Sequence, residues 1–110
     1  MNEKDTLTEA KLLFASGQLE ACIESFSQAE ESGFDMEDIC LSRGAALMAL
    51  GRFIEASNDF TKVLNVSKKH ERAHYFRGLA RAALGRYQEA IEDLTVSLAQ
   101  NNGRGIAHLI

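Results

Sequence analysis

The sequence predicts an all-α fold, a right-handed α-solenoid of three stacked antiparallel helix pairs. Three observations predict it. The string Gly17-Gln18-Leu19-Glu20-Ala21-Cys22-Ile23 returns as Gly51-Arg52-Phe53-Ile54-Glu55-Ala56-Ser57 and as Gly85-Arg86-Tyr87-Gln88-Glu89-Ala90-Ile91. The spacing is 34 residues each time, without a gap. Apolar residues inside each unit fall at helical intervals, and proline is absent from the chain.

Helices are expected over 5–16, 19–31, 37–50, 53–66, 71–84 and 87–99. The first is the most divergent and is placed by the period alone. Gly17 ends it, and the recurring string opens the second. Asp35 precedes the third and can cap it. From Asp38 to Leu50 the third is rich in Ala, Leu and Met, all good helix formers. Cys40, Ala46, Leu47 and Leu50 fall on one face of it. Gly51 then supplies a turn that needs positive φ. In the fourth helix Phe53, Ala56, Phe60, Val63 and Leu64 form one apolar stripe. The fifth and sixth repeat the third and fourth at the 34-residue spacing, with Arg43-Gly44 returning as Arg77-Gly78 and Asp59 as Asp93. The loops are short, so neighbouring helices run antiparallel. A lone pair exposes its apolar face, and stacking pairs buries it.

The chain is read as one domain, 1–110, with units at about 3–36, 37–70 and 71–104. Ala107-His108 repeats Ala73-His74, so 105–110 reads as the start of a further helix. Ile106, Leu109 and Ile110 make that end apolar. The favoured expectation is that the chain is cut from a longer one. The other is that this end docks on another molecule.

The composition is that of an ordinary soluble domain, 45% hydrophobic and 25% charged. The two cysteines form no disulfide framework and have no CxxC or HxxxH company for zinc. Cys22 and Cys40 are expected as inert core thiols. No apolar run is long enough to span a membrane. The polar, acidic start is unlike a signal peptide, so a cytoplasmic setting is expected. There is no phosphate loop, nucleophile elbow or acid pair, and the chain is read as not an enzyme and without a cofactor. His70 and His74 are four apart, but no third ligand joins them, and His74 fills a packing position of the repeat. No metal is expected. Lys68-Lys69-His70-x-Arg72 is the densest basic cluster. The acidic balance (pI near 5.3) and the lack of interleaved aromatics argue against nucleic acid.

Charge is unevenly divided. Residues 1–38 hold ten acids and two bases, and residues 39–110 six acids and ten bases. Solvated outer faces are the main expectation, and salt-sensitive association of the two ends is the other. In a hairpin turning near Gly51, Arg43 lies opposite Asp59. Arg77 lies opposite Asp93 around Gly85. Both are expected as structural ion pairs. The first unit has Glu9 and Ser25 at these places.

These units resemble the tetratricopeptide repeat, whose pattern is W-x2-L-G-x2-Y, then A-x3-F, then P. The second unit has Cys40-x2-Arg43-Gly44-x2-Leu47, then Ala56-x3-Phe60. The third has His74-x2-Arg77-Gly78-x2-Arg81, then Ala90-x3-Leu94. The first has Thr6-x2-Glu9-Ala10-x2-Leu13, then Cys22-x3-Phe26. The resemblance implies that Ala10, Gly44 and Gly78 face Cys22, Ala56 and Ala90 at close helix crossings. The closing proline is missing, with Phe34, Lys68 and Asn102 in its place. Arg81 replaces the usual aromatic, which predicts a thinner packing layer.

The resemblance also implies that the first helix of each pair lines a concave face. The candidate peptide-binding residues are Leu7, Lys11, Phe14, Leu41, Ala45, Met48, Arg72, Tyr75, Phe76 and Leu79. Some relatives grip an acidic chaperone tail through Lys, Asn and Arg on these helices. The matching positions here are Leu7, Lys11, Ser42, Arg72 and Phe76. Arg72 alone keeps the charge in place, and Lys11 is a positive substitute. That clamp is essentially absent. The expected function is a protein-interaction module that takes a peptide or amphipathic helix in a mainly apolar groove, with Tyr75 and Phe76 as anchors. The alternative is a self-assembling module, a homo-oligomer in which another copy covers the groove or the C-terminal end.

Overall fold

A computed structural model describes residues 3–33 and 35–100. Six α-helices follow one another: α1 (Glu3–Ala15), α2 (Leu19–Glu31), α3 (Met36–Ala49), α4 (Phe53–Val66), α5 (Glu71–Ala83) and α6 (Tyr87–Gln100). They pair as α1 with α2, α3 with α4 and α5 with α6. The pairs stack through α2 on α3 and α4 on α5. The fold is the all-α solenoid expected. The expected helix bounds lie within two residues of those observed. Gly105–Ile110, read as the start of a further helix, lies outside the described residues.

Each pair turns through one glycine. Gly17, Gly51 and Gly85 have φ of +81°, +77° and +81°, a region that costs an L side chain dearly. At Gly51 the turn closes with Arg52 N–H on the Leu47 carbonyl at 2.9 Å and Gly51 N–H on that of Met48 at 3.0 Å. This leaves the last carbonyls of α3 satisfied. Asp35 caps α3 as expected, accepting from Glu37 N–H at 3.1 Å. At the head of α5, His70 Nδ1 accepts from Ala73 N–H at 3.2 Å.

The core lies both within units and between them. Ala10, Cys22, Phe26 and Ala29 of the first pair meet Ile39 and Ala46 of α3. Cys40, Val63 and Leu64 meet Ala73 of α5. Leu47, Ala56 and Phe60 form a third cluster, which Phe76 joins. Helix α3 is therefore buried on two sides, with Ile39, Cys40, Gly44, Ala46 and Leu47 all inside. A helix in that position has no single apolar stripe, because it has two buried faces.

The expected close crossings hold in part: Gly78 comes up against Ala90, and both glycines also make room for a larger residue. A Cβ on Gly44 would lie 2.5 Å from the Phe60 ring, so Phe60 rather than Ala56 is what the missing side chain admits. A Cβ on Gly78 would lie 2.9 Å from Leu94 and 3.3 Å from the Ala90 carbonyl. The small residue makes room for the large residue four places further along the A-x3-F pattern.

Candidate functional site

Buried ion clusters hold the first helix of each later pair in register with the unit before it. Arg43 bonds both carboxylate oxygens of Asp59. It also reaches across the unit boundary to Glu30 at 2.9 Å and Ser27 at 3.2 Å on α2. Arg77 repeats this with Asp93, and with Thr61 on α4 at 3.1 Å. The expected pairs are thus present, and each arginine also staples its unit to the one before. The Asp59 hydrogen bond holds the Arg43 guanidinium well above its ordinary pKa, so it stays charged although buried.

Asp93 has further company. Arg81 Nη1 lies 2.8 Å from it and His74 Nδ1 3.0 Å from it. His74 Nε2 is 2.9 Å from the Lys68 carbonyl. Two expectations change here. Arg81 does not thin the layer but turns it into an ionic one. His74 is a hydrogen-bonded member of the same cluster, beyond filling a packing position. Burial pushes the Asp93 carboxyl up, and the bonds from Arg77 and His74 outweigh it, leaving it below the usual range.

Across the charge division Arg43 and Lys62 both reach Glu30, whereas Arg52, Arg77 and Arg81 pair with acids of their own half. Arg43, Arg52, Lys62, Arg77 and Arg81 each have an acid within reach. Among the described residues Arg72 forms no ion pair. Cys22 and Cys40 are free thiols with no exposed surface. Burial raises both, Cys40 to about 11, so neither is a ready nucleophile at neutral pH. Among the described residues no cluster of metal-ligating side chains forms, and no helix is long and apolar enough to cross a membrane.

A hollow of about 290 Å³ opens where α1, α3 and α5 meet over the flank of α2. Lys11 and Phe14 come from α1, Asp38, Leu41, Ser42 and Ala45 from α3, and Arg72 and Phe76 from α5. Phe26 of α2 forms part of the lining. Six of the ten sequence-predicted groove residues thus line one cavity: Lys11, Phe14, Leu41, Ala45, Arg72 and Phe76. Tyr75 lines a second hollow of about 500 Å³ with Arg72, Phe76, Leu94 and Leu98. Leu7 and Met48 instead pack against core clusters. Leu79 lines neither hollow and is half-buried. Phe76 serves two purposes, since its ring stacks on Phe60 with centroids 5.7 Å apart.

Asp38 is a lining residue that the sequence reading missed. Lys11 Nζ lies 3.2 Å from its carboxylate, so the expected free positive charge is partly neutralised at that edge. The available signal was its place three residues before Leu41, on the same helix face. Leu94 and Leu98 were missed because α6 is a second helix and was assigned to packing.

A family model described as tetratricopeptide repeat matches residues 41–104. The chain belongs to the tetratricopeptide repeat family. This tetratricopeptide repeat chain superposes on the first TPR of Spaghetti (RPAP3) bound to the HSP90 peptide SRMEEVD. There the TM-score is 0.85 and the identity 19%, covering 94% of this chain and 82% of that one. The second TPR of the same protein, with the same peptide, gives 0.81 and 23% over 88% and 84%. The Arabidopsis OM64 TPR domain gives 0.84 and 25% over 97% and 88%. At these identities the first two establish the fold alone. No curated protein sequence matches the chain significantly. As a tetratricopeptide repeat protein, the chain is a protein–protein interaction module.

Proposed function

We propose that the chain is a non-catalytic module that binds an apolar segment of another protein across α1, α3 and α5. The single observation behind this reading is the convergence of Phe14, Leu41, Ala45 and Phe76 from three separate helices on one 290 Å³ hollow. Phe14 keeps 40% of its surface exposed and Tyr75 46%. Apolar area of this kind gains free energy when a partner covers it, roughly 25 cal/mol per Å². Arg72, without an ion pair of its own, favours a carboxylate beside the apolar anchor. The two similar folds solved with an acidic peptide support peptide binding as the mode. The departures at Leu7, Ser42 and Phe76 argue against the same carboxylate grip here.

A displayed library of short peptides, selected on the full chain, tests this. The expected peptides carry a large apolar residue with an acid nearby. Phe14→Ser weakens them about tenfold while the chain stays folded and helical. Selection of no peptide, or equal binding to the variant, overturns the reading.

A self-assembling module is the competing reading, favoured by the 68% and 58% exposure of Tyr87 and Ile91 on α6. A mass that grows with concentration in light scattering, untouched by Phe14→Ser, selects it.

A further inference from the structure

His74 sits between two hydrogen-bond acceptors. Its Nδ1 lies 3.0 Å from the Asp93 carboxylate of α6, and its Nε2 lies 2.9 Å from the Lys68 carbonyl in the loop before α5. Neither partner has a proton to give. Asp93 is ionised, its carboxyl being held below the usual range, and a carbonyl only accepts. A neutral imidazole has one N–H and serves one of the two. Both contacts are hydrogen bonds only when each ring nitrogen carries a proton. At the same place in the repeat the second unit has Cys40 and the first Thr6, so the arrangement belongs to the third unit.

His70, one turn earlier, is set the other way. Its Nδ1 accepts from the Ala73 N–H at 3.2 Å, so that nitrogen stays bare. Its proton is on Nε2, 4.0 Å from the Glu37 carboxylate of α3. Two histidines four residues apart therefore hold the same short loop, 67–70, with opposite needs. A second proton completes the contacts of His74 and breaks the cap made by His70.

We infer that His74 is a proton-operated latch on the loop between α4 and α5. Doubly protonated, the ring ties the Lys68 carbonyl to Asp93. With one proton it keeps Nδ1–H on Asp93, because that bond is charge-assisted and Asp93 is 3% exposed. The Nε2 lone pair then opposes the Lys68 carbonyl. That contact lies at the surface, and water takes its place. The proton thus leaves from Nε2, and the loop carrying the exposed Lys68 and Lys69 is released. Histidine is the side chain that makes this change near neutral pH.

The surrounding charges make the latch a local device. Asp93 favours the charged ring. Arg77 and Arg81, both 2.8 Å from the same carboxylate, oppose it, and so does burial, since the ring is 12% exposed. Glu89 of α6, 3.5 Å from Arg81, offsets part of that opposition. Helix α4 contributes the neutral Thr61, which accepts from Arg77. At His70, Glu37 favours a second proton and the cap opposes it. These opposing contributions leave global stability nearly level while the loop changes state. His74, Asp93 and Lys68 line neither hollow, so the latch stands independently of the groove reading.

Nitrogen NMR of the histidine rings in the full chain, between about pH 5 and 8, tests this. At the acid end both His74 nitrogens are expected to carry protons, and at the alkaline end Nδ1 alone. The Lys69 amide shares its peptide plane with the Lys68 carbonyl and is expected to shift with the same midpoint. His70→Asn, which keeps a capping side chain, leaves that shift in place, and His74→Leu removes it. Should His74→Leu fail to fold, the ring nitrogens of the unaltered chain still decide. The inference is overturned by a His74 ring that does not titrate, or by one that keeps its proton on Nε2 at the alkaline end. A Lys69 shift that disappears in His70→Asn or survives in folded His74→Leu overturns it as well.

Discussion

Arg43 grips Asp59 with two sides of its guanidinium, Nε on one oxygen and Nη2 on the other, each at 2.8 Å. Both side chains are more than nine-tenths buried. Removing one partner leaves the other charge stranded in the core. Arg43→Ala is expected to cost roughly 3–5 kcal/mol, read by urea denaturation. Arg77→Ala is expected to cost clearly less, because Arg81 and His74 stay on Asp93. Equal losses would contradict this account of the two clusters.

Gly44→Ala drives a Cβ to 2.5 Å from the buried Phe60 ring. Phe60 has no exposed surface and little room to yield. The expected loss is roughly 1–3 kcal/mol, with a lower melting temperature. Gly78→Ala meets the more flexible Leu94 and is expected to lose less.

Stability should fall in acid. The hydrogen bond from Arg43 holds the Glu30 carboxyl below its ordinary value, and Asp93 is lowered as described. Both groups bind protons more readily in the unfolded chain. Their stabilisation is therefore complete above the unfolded values and is lost as pH falls through the folded ones. The melting temperature is expected to be level from neutral pH to about 5 and to drop below about 4. Asp93→Asn should flatten that drop.

Cys22 and Cys40 lie in the core with raised pKa values. Ellman's reagent at neutral pH is expected to label neither quickly in the native protein. Labelling should accelerate with urea in step with the loss of helicity.

Tyr75 and Phe76 separate binding from folding. Tyr75→Ala is expected to change stability by less than about 1 kcal/mol, since the ring is 46% exposed. Phe76→Ala removes the stack on Phe60 and is expected to cost roughly 1–2 kcal/mol. Thermal melts of the two variants, beside peptide binding, check this.

The sequence by itself determined what depends on local chemistry and on the period. Gly17, Gly51 and Gly85 mark turns because each needs a positive φ, and Asp35 marks a helix start because its carboxylate caps one. The 34-residue spacing determined the family and the pairing of Arg43 with Asp59, since a hairpin around a known turn brings those positions opposite. The resemblance to the family, rather than the spacing, pointed to Lys11, Phe14, Leu41, Ala45, Arg72 and Phe76, which line one hollow.

Only the tertiary structure decided how far each side chain reaches. Long, flexible groups choose their partners in three dimensions. Arg81 folds onto Asp93, and Lys11 meets Asp38 from another pair. Leu7 and Met48 pack half-buried against core clusters, although the resemblance placed them in the groove. Periodicity assigns a residue to a helix face but cannot say whether a neighbouring helix covers it. Leu64 and Leu98 hold the same place in the repeat, yet one is buried by α5 and the other lies open on α6.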